Sequence, residues 1–75
     1  MASPYFDSRR LESARAQALE SPIRVRIMEL LKTGRPLAAN SLSLDLVVDF
    51  PEVSTRKVAY HLAVLKDAKL ISTGN

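Results

Sequence analysis

Apolar positions recur with a helical period along most of this chain, and the clearest instance is the phrase VSTRKVAYHLAVLKDAKLI from Val53 to Ile71. Placing successive residues 100° apart brings Val58, Leu62 and Leu65 within about 60° of arc, the width of a core-facing stripe. Ser54 stands where a helix cap is wanted, so the pattern predicts a helix from Ser54 to about Ala68. Leu70 and Ile71 then leave in extended form, as the start of a strand would.

Three further elements precede it. Met1 to Phe6 reads as a loose arm. In the stretch FDSRRLESARAQALE that follows, Asp7 is placed to cap a helix and Phe6 to pack on Leu11 as a hydrophobic staple. Its stripe of Leu11, Ala14, Ala18 and Leu19 is narrow and mostly of small side chains, so this helix is expected to lean on another element or on a second subunit. The next helix is bounded by Ser21 as cap, Pro22 at the first helical position and Gly34 just past the end, with Lys32 in the last turn, where the helix dipole favours a cation. Ile23, Ile27, Leu30 and Leu31 share its inner face, with Met28 at the edge; Arg24, Arg26 and Glu29 lie on the other side. In RPLAANSLSLDLVVDFPE, Leu42, Leu44 and Leu46 alternate as in a strand, yet Leu42 and Leu46 also stand one helical turn apart. A helix begun by Asn40 or Ser41 and stopped at or before Phe50 by Pro51 is the preferred reading, with Pro36 and Leu37 a short extended piece before it.

Composition narrows what such a chain can do. Seventy-five residues make one domain that buries only about 60% of its unfolded surface. Its hydrophobic content of 47% is that of a folded globule rather than a disordered tail. With no cysteine and a single histidine, neither a thiolate nucleophile nor a cysteine- or histidine-cluster metal site can be built. Gly34 and Gly74 stand alone, so no glycine-rich phosphate loop exists, and His61 has no nucleophile in a distinctive context. No enzyme activity, cofactor or metal is expected. The first 20 residues hold no continuous apolar run, so neither a signal peptide nor a membrane span is expected and the location is expected to be cytoplasmic. The formal net charge of +3 suits a nucleic-acid partner without demanding one.

The side of the last helix opposite Val58 and Leu62 carries the chemistry that remains. Thr55, Arg56, Ala59, Tyr60, Ala63 and Lys66 lie there, with Lys57 on the flank. Ala59 and Ala63 are short enough for the backbone to approach another surface closely. Around them stand a guanidinium fork, two ammonium groups, a hydroxyl and a phenol, all suited to phosphates and base edges. A helix that enters a major groove needs that slim centre and those donor-rich margins. The bland alternative is a merely solvated face, which is how a few basic residues opposite a core stripe ordinarily behave. His61, at the edge of the buried arc, is expected to be a packed histidine hydrogen-bonded to backbone, and the Tyr60 ring could equally cover a neighbouring loop.

Two blocks in order, SPIRVRIMELLKTGRP and VSTRKVAYHLAVLKDAKLI, resemble the winged helix-turn-helix of the ArsR-type transcriptional regulators. The first is similar to that family's proline-arginine phrase at Ser21-Pro22-Ile23-Arg24-Val25-Arg26-Ile27. The second is similar to its recognition helix, with Ser54 as cap, then Val58, the Tyr60-His61 pair, Leu62 and Leu65. The resemblance covers about Arg9 to Ile71. It implies a mainly α, winged helix-turn-helix-like domain of three to four helices over residues 8–75, after an arm at 1–7. It departs from the family at Lys69, where a glycine usually makes the left-handed turn, and in the longer link VVDFPEV, which adds Asp49 and Glu52 near the presumed DNA side. STGN cannot supply the second strand of a wing, so the wing is expected to be short or absent.

Sequence-specific double-stranded DNA binding as a transcriptional regulator follows as the expected function, with residues of about 54–68 in the major groove. Arg56, Lys57 and Lys66 would anchor phosphates, and Thr55, Arg56 and Tyr60 would reach base edges. Ser54, Ala59 and Ala63 complete the ridge, while Arg35, Arg9 and Arg10 would add phosphate contacts. Most such regulators bind as two-fold dimers, which assigns a homodimer seam to the first helix. The alternative is a winged-helix protein-interaction module, with the Ala59/Ala63 groove receiving a partner and the low net charge and acidic link as its support.

Overall fold

The computed structural model describes residues 4–72, with side chains from Arg10 onward. It is a mainly helical domain of four helices, α1 (Pro4–Ala18), α2 (Pro22–Lys32), α3 (Ala39–Leu46) and α4 (Thr55–Asp67), with no strand among the described residues. None of these helices is long and apolar enough to cross a membrane.

The core is one cluster to which every helix contributes. Ile27 from α2, Leu42 and Leu46 from α3, and Val58 and Leu65 from α4 are all fully buried, joined by Leu30, Ala18 and Ala68. Burial of each large side chain contributes roughly 1.5–3 kcal/mol, an upper figure because a real unfolded chain is already partly collapsed. The most extensive interface is between α3 and α4, and α2 closes over both. Leu44, two residues from either buried leucine of α3, is 75% exposed. Helical spacing thus separates Leu42 and Leu46 from Leu44 in a way that alternation along a strand cannot, because all three would then share one face.

The caps of α2 and α4 follow the sequence closely. Ser21 Oγ accepts from the Arg24 N–H at 3.4 Å, Pro22 opens α2, and Ser54 Oγ accepts from the Lys57 N–H at 3.2 Å. Both helices close in the same way. After α2, Arg35 N–H donates to Leu30 O and Gly34 N–H to Leu31 O; after α4, Leu70 N–H donates to Leu65 O and Lys69 N–H to Lys66 O. This paired closure requires a left-handed residue just past each cap. Gly34 fills that place with φ +93° and Lys69 with φ +60°.

Other expectations are corrected. α1 is helical from Pro4, so the last residues of the expected arm belong to the helix; the Asp7 cap and the Phe6–Leu11 staple involve side chains outside the described residues. α3 starts at Ala39, not after Asn40 or Ser41, and its cap position, Ala38, offers no side-chain acceptor. Asn40 Oδ1 instead accepts from the Ser41 N–H inside the first turn at 3.0 Å. α3 ends at Leu46, and a hydrogen-bonded turn fills the interval to Phe50. Leu70 and Ile71 pack against the core without forming a strand, and Pro36 and Leu37 are likewise irregular.

Two arginines fix α1 in place, as its thin apolar stripe requires. Arg15 Nε donates to Ala68 O at 3.1 Å and its Nη2 to Lys69 O at 3.5 Å, so a cation sits on the carbonyl end of α4. Arg24 Nε donates to Ala18 O at 2.6 Å, holding the carbonyl end of α1 itself. Ala18 is buried against this junction and Ala14 is partly buried, while Leu19 remains 42% exposed.

Candidate nucleic-acid interface

The outer side of α4 is open. Ser54, Thr55, Arg56, Lys57, Ala59, Tyr60, Ala63 and Lys66 are all exposed, as is Arg35 on the turn after α2. Val58 and Leu65 are buried beneath them, with Leu62 half-buried, so the helix divides as its wheel requires. Ala59 and Ala63 stay exposed among the described residues, and the ridge between them stays slim.

Charge on this face is only partly committed. Arg56, Lys57 and Lys66 have no ion pair among the described residues, whereas Arg35 Nε lies 3.5 Å from Asp45 Oδ2. Arg35 thus meets a carboxylate of α3 before it can meet a phosphate, and it is set apart from the three free cations. Thr55 Oγ1 is 3.3 Å from Ser43 Oγ, a hydroxyl pair joining the start of α4 to α3. Ser43 was not among the candidate residues; its place beside Thr55 depends on how the two helices cross, which local pattern does not carry. Arg10 is exposed at the far end of the fold's first helix, and the side chain of Arg9 is outside the described residues.

The link from Val47 to Ser54 is longer than the three or four residues of a tight helix-turn-helix, yet it is built rather than slack. Phe50 N–H donates to Leu46 O at 2.8 Å and Val53 N–H to Phe50 O at 2.9 Å, while Phe50 and Val53 pack on the core. Asp49 Oδ2 lies 4.0 Å from Arg26 Nε. Ile23, Phe50, Pro51 and Val53 line an open cleft of about 360 Å³, and Asp49, Glu52 and Lys57 complete its wall. Acidic groups therefore stand beside the first turn of the candidate recognition helix.

Behind this face lies a contact that sequence reasoning missed. Arg24 had been placed on the outer side of α2, but it is partly buried, and its Nη1 lies 3.0 Å from His61 Nδ1. A guanidinium can only donate, so Nδ1 must accept, and His61 is neutral with its proton on Nε2. His61 thus pairs with a side chain 37 residues away rather than with backbone, as had been expected. Burial lowers its pKa below the ordinary 6.5, and the charges of Arg24 and then Lys57 lower it further. The Tyr60 ring, 62% exposed, meets the His61 ring edge-on at 5.4 Å between centroids. The signal that could have revealed Arg24 is its position, three residues after the Ser21 cap and so beside the end of α1.

No family model, curated protein or solved structure matches the chain. The likeness to ArsR-type regulators therefore rests on the residues that carry it.

Proposed function

We propose that this chain is the DNA-binding module of a transcriptional regulator and that α4 is its recognition helix. One observation carries the reading: an exposed, alanine-centred ridge bears Arg56, Lys57 and Lys66, three cations with no ion pair among the described residues. Free cations at the margin of a slim helix cost nothing to redirect toward phosphates, and Thr55, Arg56 and Tyr60 are close enough to the ridge to face base edges. Winged-helix character of the ArsR type and two-fold association through the part of α1 that α4 leaves open belong to the same proposal.

Titration of duplex DNA across salt concentrations tests it. Four or five phosphate contacts give a log–log slope near about −4. Arg56→Ala should weaken specific binding by about 1–3 kcal/mol. Absence of duplex binding at low salt refutes the reading, and an unchanged affinity for the double change Arg56→Ala, Lys57→Ala transfers it to another face.

A second reading, a protein-interaction module, draws on the apolar cleft at Phe50 and Val53 with its Asp49 and Glu52 carboxylates. That wall suits a basic segment better than a phosphate. Binding of a basic peptide with duplex binding absent would favour it.

A further inference from the structure

A second cleft, of about 320 Å³, opens between α1 and α4 on the other side of Tyr60, with a volume near the lower end for small-molecule sites (roughly 300–1,000 Å³). Ala14, Ala18 and Val64 supply apolar wall, and Gln17, Arg24, Tyr60 and Asp67 supply its polar groups.

Arg24 is the anomaly here. It is partly buried, and its two side-chain contacts among the described residues are to neutral acceptors, the Ala18 carbonyl at 2.6 Å and His61 Nδ1 at 3.0 Å. The carboxylates that form ion pairs among the described residues are engaged by Arg26 and Arg35, not by Arg24. Its Nη2 has no hydrogen-bond partner among the described residues and belongs to a side chain that lines the cleft. Arg24 is only partly withdrawn from water, and no buried side-chain polar atom among the described residues lacks a partner, so the unengaged Nη2 faces the cleft as an open donor that an anion can take up. Guanidinium groups favour carboxylates in such settings because the donor geometry matches. Asp67 adds a negative charge to the same cleft and so disfavours a ligand with two charges.

We propose that the cleft between α1 and α4 is a binding site for a small organic monocarboxylate, its carboxylate on Arg24 and its apolar body against Ala14, Ala18 and Val64. The site stands apart from DNA binding and is tested without DNA. Tyr60 lies on both surfaces, so a ligand in the cleft is next to the ridge of α4.

NMR titration of the intact chain with benzoate, phthalate and inorganic phosphate tests the proposal, following amide shifts and the His61 imidazole. Benzoate should saturate, with shifts centred on Arg24 and Val64, and should raise the apparent pKa of His61 because the bound anion opposes the field of Arg24. Phthalate and phosphate should bind at least about tenfold more weakly, a difference equivalent to about 1.4 kcal/mol. Arg24→Gln should abolish saturation while Arg26→Gln leaves it intact. Ala14→Leu, which fills the cleft and keeps Arg24, should abolish it too, and it serves if Arg24→Gln does not fold. No saturable shift with benzoate, equal binding in Ala14→Leu, or phosphate binding as tightly at the same residues would overturn the proposal.

Discussion

Replacing Lys69 with glycine should stabilise this domain, because Lys69 carries the one left-handed backbone among the described non-glycine residues. At φ +60° its Cβ crowds the following carbonyl, an arrangement that costs an L-residue about 1–2 kcal/mol. The position cannot relax. Leu70 N–H donates to Leu65 O and Lys69 N–H to Lys66 O, and Leu70 is packed on the core, so the closure of α4 holds the turn in place. Glycine removes the strain but adds freedom to the unfolded chain, which takes back about 0.4–1 kcal/mol. The net gain should be about 0.5–1 kcal/mol. The side chain lost is exposed and has no partner among the described residues, and the Lys69 carbonyl that accepts from Arg15 Nη2 is backbone and survives.

For a domain of this size each kcal/mol moves the melting temperature by about 4–8 °C, so Lys69→Gly should raise it by about 2–8 °C. Thermal and urea unfolding followed by far-UV circular dichroism measures this, with the urea midpoint rising at unchanged slope. Gly34→Ala is the internal control and, with the same two terms reversed in sign, should move the opposite way by about 0.5–1 kcal/mol. A Cβ at Gly34 would meet nothing within 4 Å, so its φ of +93° alone sets that cost. A melting temperature that stays level or falls in Lys69→Gly would refute the argument that the turn is strained.

Three other outcomes are expected. Acidification should destabilise the fold through His61: its folded pKa is depressed by burial, Arg24 and Lys57, so the stabilising contribution is present above the ordinary 6.5 and is lost as pH falls through the folded value. Urea midpoints measured against pH should show that loss, and His61→Gln should remove it. Leu46→Ala should cost about 2–5 kcal/mol at a fully buried site, a large share of the roughly 5–15 kcal/mol that stabilises a domain, whereas Leu44→Ser at a 75% exposed site should stay within about 0.5 kcal/mol by the same measurement. Glu52→Gln should tighten duplex binding and weaken binding of a basic peptide, because its carboxylate stands with Lys57 at the cleft before α4 and has no ion pair among the described residues; fluorescence anisotropy of both ligands reads the two effects.

What was legible in the chain was whatever depends on neighbours in sequence. Ser21, Pro22 and Gly34 bound α2, and Ser54 opens α4, because caps act within one turn. The left-handed turn at Lys69, by contrast, is expected only from the resemblance, in which a glycine usually stands there, since nothing about lysine favours it. The start of α3 was misplaced for a related reason. Asn40 and Ser41 are good caps, but Ala39 and Leu42 pack into the core, and packing draws the helix start back to where Ala38 offers no side-chain acceptor. Contacts over long separations were not readable. The partner of His61 is Arg24, and the partners of Arg15 are carbonyls more than 50 residues away. The first depends on how α2 meets α4, and the second on α1 crossing the end of α4, which a stripe of alanines does not specify.

The same division applies to the candidate interface. Periodicity alone placed Arg56, Ala59, Ala63 and Lys66 on an open face, since burying Val58 and Leu65 leaves them nowhere else to point. The field around that face is a tertiary property. Asp45 engages Arg35 and Arg26 lies 4.0 Å from Asp49, so one exposed cation is already paired and one exposed carboxylate stands in the link that leads into α4. The positive end of the ridge is therefore its Lys66 side, with Lys57 facing acidic neighbours across the cleft. If α4 receives a duplex as proposed, the least opposed attraction would lie away from the 47–54 link. Because Phe50 and Val53 anchor that link in the core, the bias is fixed in the fold rather than relieved by movement of a loose loop. On the proposed DNA-binding reading this acidic shoulder would act on orientation: of the ways α4 can lie in a groove, it would penalise those that bring the 47–54 link against the phosphates.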